Sequence, residues 1–241
     1  MQHILGLTRR CIDDYHMINA GETIAVGVSG GKDSLLCLTA LARLRRFYPV
    51  PFLLEAITLD MGMPDMDFSA VADYCASLGV PYTQVQVPVY QIVFQERKEK
   101  NPCALCAKMR RGSLNTALVE RGIRKIALGH HYDDAVETFL MNLLFEGRIG
   151  CFQPVTYLDR MQVTQIRPLL YCREEELGRA ADQLHLPVTA NTCPVDGISR
   201  RQEIKDLLKE LERHYPHLKK KIFGAIQRYP LYGWDVCEGQ H

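Results

Sequence analysis

Long apolar runs are missing from this sequence. No stretch approaches the ~18 consecutive apolar residues that a membrane-spanning helix needs, so no membrane association is expected. No apolar core follows the charges of residues 1–14, so a secretory signal is not expected and the cytoplasm is the expected compartment. An excess of one charge is missing too: 29 Lys and Arg stand against 28 Asp and Glu, a net charge of +1. That balance does not announce a nucleic-acid binder, although the position of charges matters more than their sum. Internal repeats and low-complexity segments are absent, so no repeat architecture is expected. Nine cysteines cannot pair off, and without an export signal a disulfide framework is not expected. What remains is 241 residues, 47% hydrophobic and 24% charged, enough for one large soluble domain with a small appendage.

Buried-strand signals at residues 22–28, 52–59, 82–87 and 125–128 alternate with helical spacing at 33–47, 67–78, 103–121 and 133–145. This alternation predicts an α/β fold, a mainly parallel sheet with helices on both faces and right-handed crossovers. Residues 163–166 offer a further strand, and 174–184, 200–213 and 217–228 read as a helical C-terminal portion.

Ser29-Gly30-Gly31-Lys32-Asp33-Ser34 follows the first strand and opens a helix. Backbone amides and a helix N-terminus would there surround an anion. The glycines allow close approach of phosphate, Ser29 and Ser34 offer hydroxyls, and Lys32 offers a charge. Asp33 would repel a bare phosphate, so it holds Mg²⁺ or caps the helix. The spacing is neither a Walker A loop nor G-x-G-x-x-G. The plainer alternative is a glycine-rich turn with an Asp cap.

In doubly wound sheets ligands sit beyond the carboxyl ends of strands. Asp60 ends the second strand and is expected at the nucleotide or substrate, unless it only forms a turn. Gly129-His130-His131-Tyr132-Asp133-Asp134 stands at another strand end. Two His and two Asp there can move protons, hold Mg²⁺ or line a substrate pocket. One of the two Asp is expected to cap the following helix.

Cys103 and Cys106 form a C-x-x-C pair at a helix start, where thiolates are favoured, and Cys193 stands far away before Pro194. These three suit an iron–sulfur cluster with one iron left open. Zinc completed by Cys151, Cys172 or a His, a redox pair and unrelated thiols are the alternatives. Cys37 and Cys75 fall in helical apolar patterns and read as core, while Cys11 and Cys237 carry no message. Basic clusters at Lys108, Arg110 and Arg111, at Arg200 and Arg201, and at Lys219, Lys220 and Lys221 each read first as a solvated helix face.

Ser-Gly-Gly-Lys-Asp-Ser after a strand resembles the loop of the PP-loop ATP pyrophosphatases. Taken with the C-x-x-C, Gly-His-His-x-Asp-Asp, Arg167-Pro168-Leu169-Leu170 and the later Cys-Pro, the chain resembles the tRNA 2-thiocytidine synthetases over residues 20–228. The resemblance implies an adenine-nucleotide alpha-hydrolase-like fold. Residues 1–20 would be an N-terminal segment, 21–190 the PP-loop domain with its cysteine-bearing insert, and 191–241 a helical extension.

The implied activity is tRNA thiolation. ATP with Mg²⁺ adenylates O2 of a cytidine, and sulfur replaces that oxygen. Ser29, Gly30, Gly31, Lys32, Asp33, Ser34 and Gly129 would bind ATP, and Asp60, His131, Asp133 and Asp134 would be catalytic. Cys103, Cys106 and Cys193 would hold a 4Fe–4S cluster, unless one of them carries a persulfide. Lys108, Arg110 and Arg111 would meet RNA phosphates. A sulfur donor, such as a cysteine desulfurase or free sulfide, is the expected partner besides tRNA, and a homodimer is the ordinary expectation for an enzyme. The chain is shorter than the best-known members, and it lacks the additional C-x-x-C pairs of the zinc-finger thiouridine synthetases. An adenylating enzyme acting on a small molecule, or a nucleotide- or metal-binding sensor without turnover, are the rival readings.

Overall fold

The structure, a computed structural model, describes residues 1–97, 102–189, 192–193, 200–229 and 231–236. Pro194 and Cys237 lie outside the described residues.

Helix α1 (Gln2–Asp14) leads into strand β1 (Thr23–Gly27). Next come α2 (Lys32–Leu44), β2 (Leu53–Asp60), α3 (Ser69–Ser77) and β3 (Tyr82–Gln86). A π-helical turn (Gln91–Glu96) precedes α4 (Pro102–Glu120), β4 (Lys125–Ala127) and α5 (Tyr132–Glu146). The chain continues through β5 (Val155–Leu158), β6 (Val163–Ile166), α6 (Glu174–Gln183), α7 (Arg200–His214) and α8 (Leu218–Arg228).

The six strands form one sheet in the order β3-β2-β1-β4-β6-β5. All neighbours are parallel except β5, which pairs antiparallel with β6 at the edge. β1 lies centrally because its Ile24, Ala25 and Val26 can be buried on both faces, as parallel strands require. Ile24 and Val26 join the larger core, while Ala25 packs with Ile57, Leu118 and Ile126 under α4. Helices therefore cover both faces. α2 is apolar on nearly every side: Leu35, Leu36, Leu38 and Leu41 are fully buried, each contributing about 1.5–3 kcal/mol.

Two elements differ from the sequence-based expectation. Residues 1–20 include α1, whose Ile4, Cys11 and Ile12 belong to the main core, so Cys11 is a buried core thiol. β5 has only four residues and no regular in–out burial, so its period-2 signal is too weak to read. Among the described residues no helix is long and apolar enough to cross a membrane.

The chain winds outward from β1 through β2 to β3, then returns to the other side of β1 for β4. This reversal opens a crevice beyond the carboxyl ends of β1 and β4, where the two motif loops emerge.

Candidate functional site

A cleft of about 570 Å³ fills that crevice. Ser29, Asp33 and Ser34 form one end, and Leu59, Met61, Met63, Met66 and Phe68 form an apolar wall. Arg110, Arg111 and Leu114 of α4 face them, and His130, Asp134, Gln165 and Arg167 complete the floor. One polar end and one apolar wall suit a nucleotide, with phosphates at the loop and the base against the apolar side chains.

The loop is held open by its own serines. Ser34 Oγ accepts from the Ser29 amide at 3.1 Å and donates to the Gly31 carbonyl at 2.8 Å. Ser29 Oγ accepts from the Gly31 amide at 3.4 Å. No side chain caps α2, so its first-turn amides remain available to an anion. Gly30 sits at φ +83, and a Cβ there would lie 2.8 Å from Thr189 Oγ1. The 189 segment crosses directly over the loop, its amide donating to the Gly30 carbonyl at 3.0 Å.

Lys32 is bound to carboxylates here. Its ammonium donates to Asp33 at 3.0 Å and reaches Glu174 at 3.5 Å. Asp33 Oδ2 also lies 3.8 Å from His131 Nε2. A polyphosphate entering the loop could take over Lys32, and a divalent cation could take over Asp33.

The His–Asp segment divides its labour. His131 is buried at the start of α5, its amide donating to Asp134 at 3.0 Å. Asp134 also accepts from Arg201 of α7 at 2.6 Å. Burial pushes the Asp134 carboxyl up, but His131 and Arg201 outweigh it and hold it below the usual range. Glu137, one turn on, contacts Arg201 at 3.2 Å and Lys205 at 3.8 Å, yet burial dominates and holds it up to about 7.

Asp133 points away from the cleft. It accepts from the Glu174 amide and from Lys219, both at 2.8 Å. Burial opposes its ionisation, but those two donors hold its carboxyl low. It ties α6 and α8 to α5, so of the expected catalytic residues it is placed as a fastening. Asp60 also departs from the expected position. Its carboxylate accepts from the Gly62 amide, Gln84 and Gln86 at 3.0, 2.9 and 2.7 Å. Because side chains alternate along a strand, Leu59 and Met61 reach the cleft instead.

The sequence places His130 with His131 in a segment suited to proton transfer, metal or substrate, but only His131 is expected to be catalytic, and Arg167 carries the resemblance without a role. His130 stacks on Phe152 with ring centroids 5.1 Å apart, and the Arg167 guanidinium lies 4.9 Å over the same ring. Burial, reinforced by Arg167, pushes the His130 imidazole down to about 4, and burial pushes Arg167 down to about 10. Among the described residues His130 Nδ1 and Arg167 Nε have no hydrogen-bond partner, though both are buried beside the cleft. Such atoms are costly unless a ligand or water satisfies them. An arginine inside an otherwise apolar strand end was the available signal.

Cys103 and Cys106 lie in the first turns of α4, the helix whose Arg110 and Arg111 line the cleft. Cys103 is exposed, and Cys106 and Cys193 are half-buried. Burial raises the Cys106 thiol, and the nearby Cys193 and Cys103 raise it further against Arg110. Cys193, nearly ninety residues away in the chain, is thus within electrostatic reach of the C-x-x-C. Three soft sulfurs that repel one another as thiolates fit a polynuclear iron site, whose positive charge relieves the repulsion. Among the described residues no three His, Cys, Asp or Glu side chains converge tightly enough for a single ion. Sulfurs on separate irons of one cluster stand farther apart than that. Arg110 and Arg111 line the cleft, whereas Lys108 is exposed outside it.

Comparison with known proteins agrees with this geometry. Residues 7–208 match the PP-loop domain family. The chain is similar to the tRNA-cytidine(32) 2-sulfurtransferase of Pelobacter propionicus, 38% identical over 94% of this chain and 84% of that protein. The enzyme of the same name from Geobacter sulfurreducens is also 38% identical, over 90% and 86%. Among solved structures, the U34-tRNA thiolase NcsA from Methanococcus maripaludis, with its [4Fe-4S] cluster, superposes with a TM-score of 0.75 at 26% identity. That alignment covers 94% of this chain and 78% of the thiolase.

Proposed function

This chain belongs to the PP-loop family and, within it, to the tRNA-cytidine 2-sulfurtransferases, and from that premise we propose that it thiolates cytidine 32 of tRNA at the expense of ATP. One observation carries the reading: α4, which lines the cleft opposite the phosphate loop with Arg110 and Arg111, opens with Cys103 and Cys106, and Cys193 lies within electrostatic reach of Cys106.

ATP binds with its β- and γ-phosphates on the Ser29–Ser34 amides and hydroxyls, Lys32 turning from Asp33 to phosphate. Asp33 is freed to hold Mg²⁺, and the adenine lies against Met63, Met66 and Phe68. O2 of the cytidine attacks the α-phosphorus in line, the bond to the β-phosphate oxygen breaks, and pyrophosphate leaves. Arg110 and Arg111 face the charge that develops there. Arg167 and His130, with unsatisfied N–H or N atoms, can hold the cytosine edge or the adenylate. His130 acts as a neutral imidazole at physiological pH, since burial keeps it uncharged.

Cys103, Cys106 and Cys193 would hold a 4Fe–4S cluster. When bound, it supplies an iron with no protein ligand, where sulfide can be kept. Hydrosulfide adds to C2 of the activated ring, and AMP departs carrying the original O2. The sulfur comes from free sulfide or a cysteine desulfurase.

The test is nucleoside analysis of tRNA incubated anaerobically with the reconstituted protein, ATP, Mg²⁺ and sulfide. 2-Thiocytidine formed with stoichiometric AMP and pyrophosphate supports the reading. Thiouridine alone would move the substrate to the class of the archaeal thiolase. Exchange of pyrophosphate into ATP driven by a metabolite and not by tRNA would sink it.

A further inference from the structure

A second cavity, about 720 Å³, lies between α1, α6 and α8 and belongs to none of the machinery above. Its rim carries Arg10, Arg173, Lys220, Lys221 and Arg228 against a single acid, Glu176. All five cations are exposed. In a chain of net charge +1 this is a local concentration of positive charge.

Most of this charge is not neutralised by the protein. Arg10 has Asp14 at 3.6 Å. Among the described residues no carboxylate lies within ion-pair distance of Arg173, Lys220, Lys221 or Arg228. By contrast Lys32, Arg201 and Lys205, around the starts of α2 and α5, all hold carboxylates. Two guanidiniums are pre-positioned over aromatic rings, Arg173 over Tyr132 and Arg10 over Tyr171, each at 5.6 Å. Tyr132 itself is braced by Phe223, stacked at 4.1 Å.

The groove opens at the same end of the sheet as the cleft. α5 and α6 follow the parallel strands β4 and β6, so their first residues lie at the carboxyl end of the sheet. Tyr132 and Arg173 are those first residues or their neighbours. Asp134, only two residues past Tyr132, already lines the cleft. The groove and the cleft thus flank the first turn of α5. Cations spread over three helices match a chain of phosphates better than one phosphate, which would want a converging cradle of amides.

We propose that this groove carries the sugar–phosphate backbone of the substrate RNA, beside the cleft that receives the target base. The inference rests on the tRNA reading above and adds where the polyanion runs. Its contacts are of the positioning kind, indifferent to sequence and sensitive to salt.

The experiment is tRNA binding by fluorescence anisotropy across a salt series. It uses the full chain, Lys220→Glu/Lys221→Glu, the milder Lys220→Gln/Lys221→Gln, and a charge-matched control, Arg46→Glu/Lys209→Glu, both outside the groove. The groove reversal should weaken tRNA at least about tenfold near 0.1 M salt and flatten the log–log salt slope by about 1–2. The Gln pair should give a smaller loss in the same direction, and ATP affinity should stay within about twofold. Equal tRNA affinity in the groove variants would overturn the inference, as would equal weakening by the control. Intact tRNA binding with impaired sulfur delivery from a desulfurase would also overturn it, in favour of a protein partner. Failure of the unmodified chain to bind tRNA at all would strike the proposed function itself.

Discussion

Gly129 lies against the backbone of Asp33. A Cβ added to it would stand 2.8 Å from the Asp33 carbonyl oxygen and 2.9 Å from the Ser34 amide nitrogen. The end of β4 and the first turn of α2 can meet only because no side chain separates them, and this contact sets the width of the phosphate loop. Gly129→Ala should therefore push the two loops apart. Expected are a loss of about 1–3 kcal/mol in urea unfolding and a loss of ATP affinity of at least about tenfold by calorimetry. Unchanged ATP binding would show that the loop tolerates a wider spacing.

Cys193→Ala should separate the two halves of the proposed reaction. It removes a sulfur from the trio but touches none of the loop contacts, so ATP affinity should stay within about twofold. Iron and sulfide content after anaerobic reconstitution should fall, and 2-thiocytidine should vanish. Retained iron with retained thiolation would remove Cys193 from the site.

Trp234 connects the end of the chain to the floor of the cleft. It is fully buried, donates its indole N–H to the Phe152 carbonyl at 2.9 Å, and meets Phe223 edge-on at 5.6 Å. Phe152 in turn supports His130 and Arg167. Trp234→Ala should cost about 3–5 kcal/mol. Trp234→Phe should cost about 1 kcal/mol for the lost hydrogen bond and lower thiolation without changing the fold. The chain has one tryptophan, so its emission, expected to be blue-shifted by burial, reports this contact directly. Native emission already resembling exposed indole would contradict the placement.

Acid should weaken the contribution of His130 to stability. Burial and then Arg167 hold its imidazole down to about 4 in the folded chain, against about 6.5 when unfolded. Between those values the unfolded state binds a proton that the folded state refuses. Stability from this site is therefore full above about pH 6.5 and falls as pH drops toward 4. This site alone loses roughly 2 kcal/mol between about pH 7.5 and pH 5, while Glu137, held up to about 7, contributes in the opposite direction, so the check is the difference between wild type and His130→Gln in urea melts across that range. An identical slope in the variant would refute a neutral, buried His130.

Much of this protein was written locally. The alternation of buried strands and helices, the Ser29–Ser34 loop, the C-x-x-C and the His–Asp segment all depend on near neighbours in sequence. Strand period, turn chemistry and helix starts report on such neighbours, so the sheet, its direction and the loop ends could be read from them. α1 was not read, although its buried Ile4, Thr8, Cys11 and Ile12 recur at helical spacing, because the polar residues between them mask a short apolar stripe.

Tertiary structure alone decided which of those residues face the cleft. Asp60 and Asp133 carry the right chemistry, but each is turned toward partners distant in sequence, Gln84 and Gln86 for one and Lys219 for the other. His130 and Arg167 meet at the cleft over Phe152, which lies between them in sequence and whose carbonyl is held by Trp234 from the far end of the chain. The approach of Cys193 to within electrostatic reach of Cys106 is likewise set by packing. A sequence states what a side chain can do. Its direction follows from burial and from charge partners supplied by elements far away in the chain, and no local pattern encodes those.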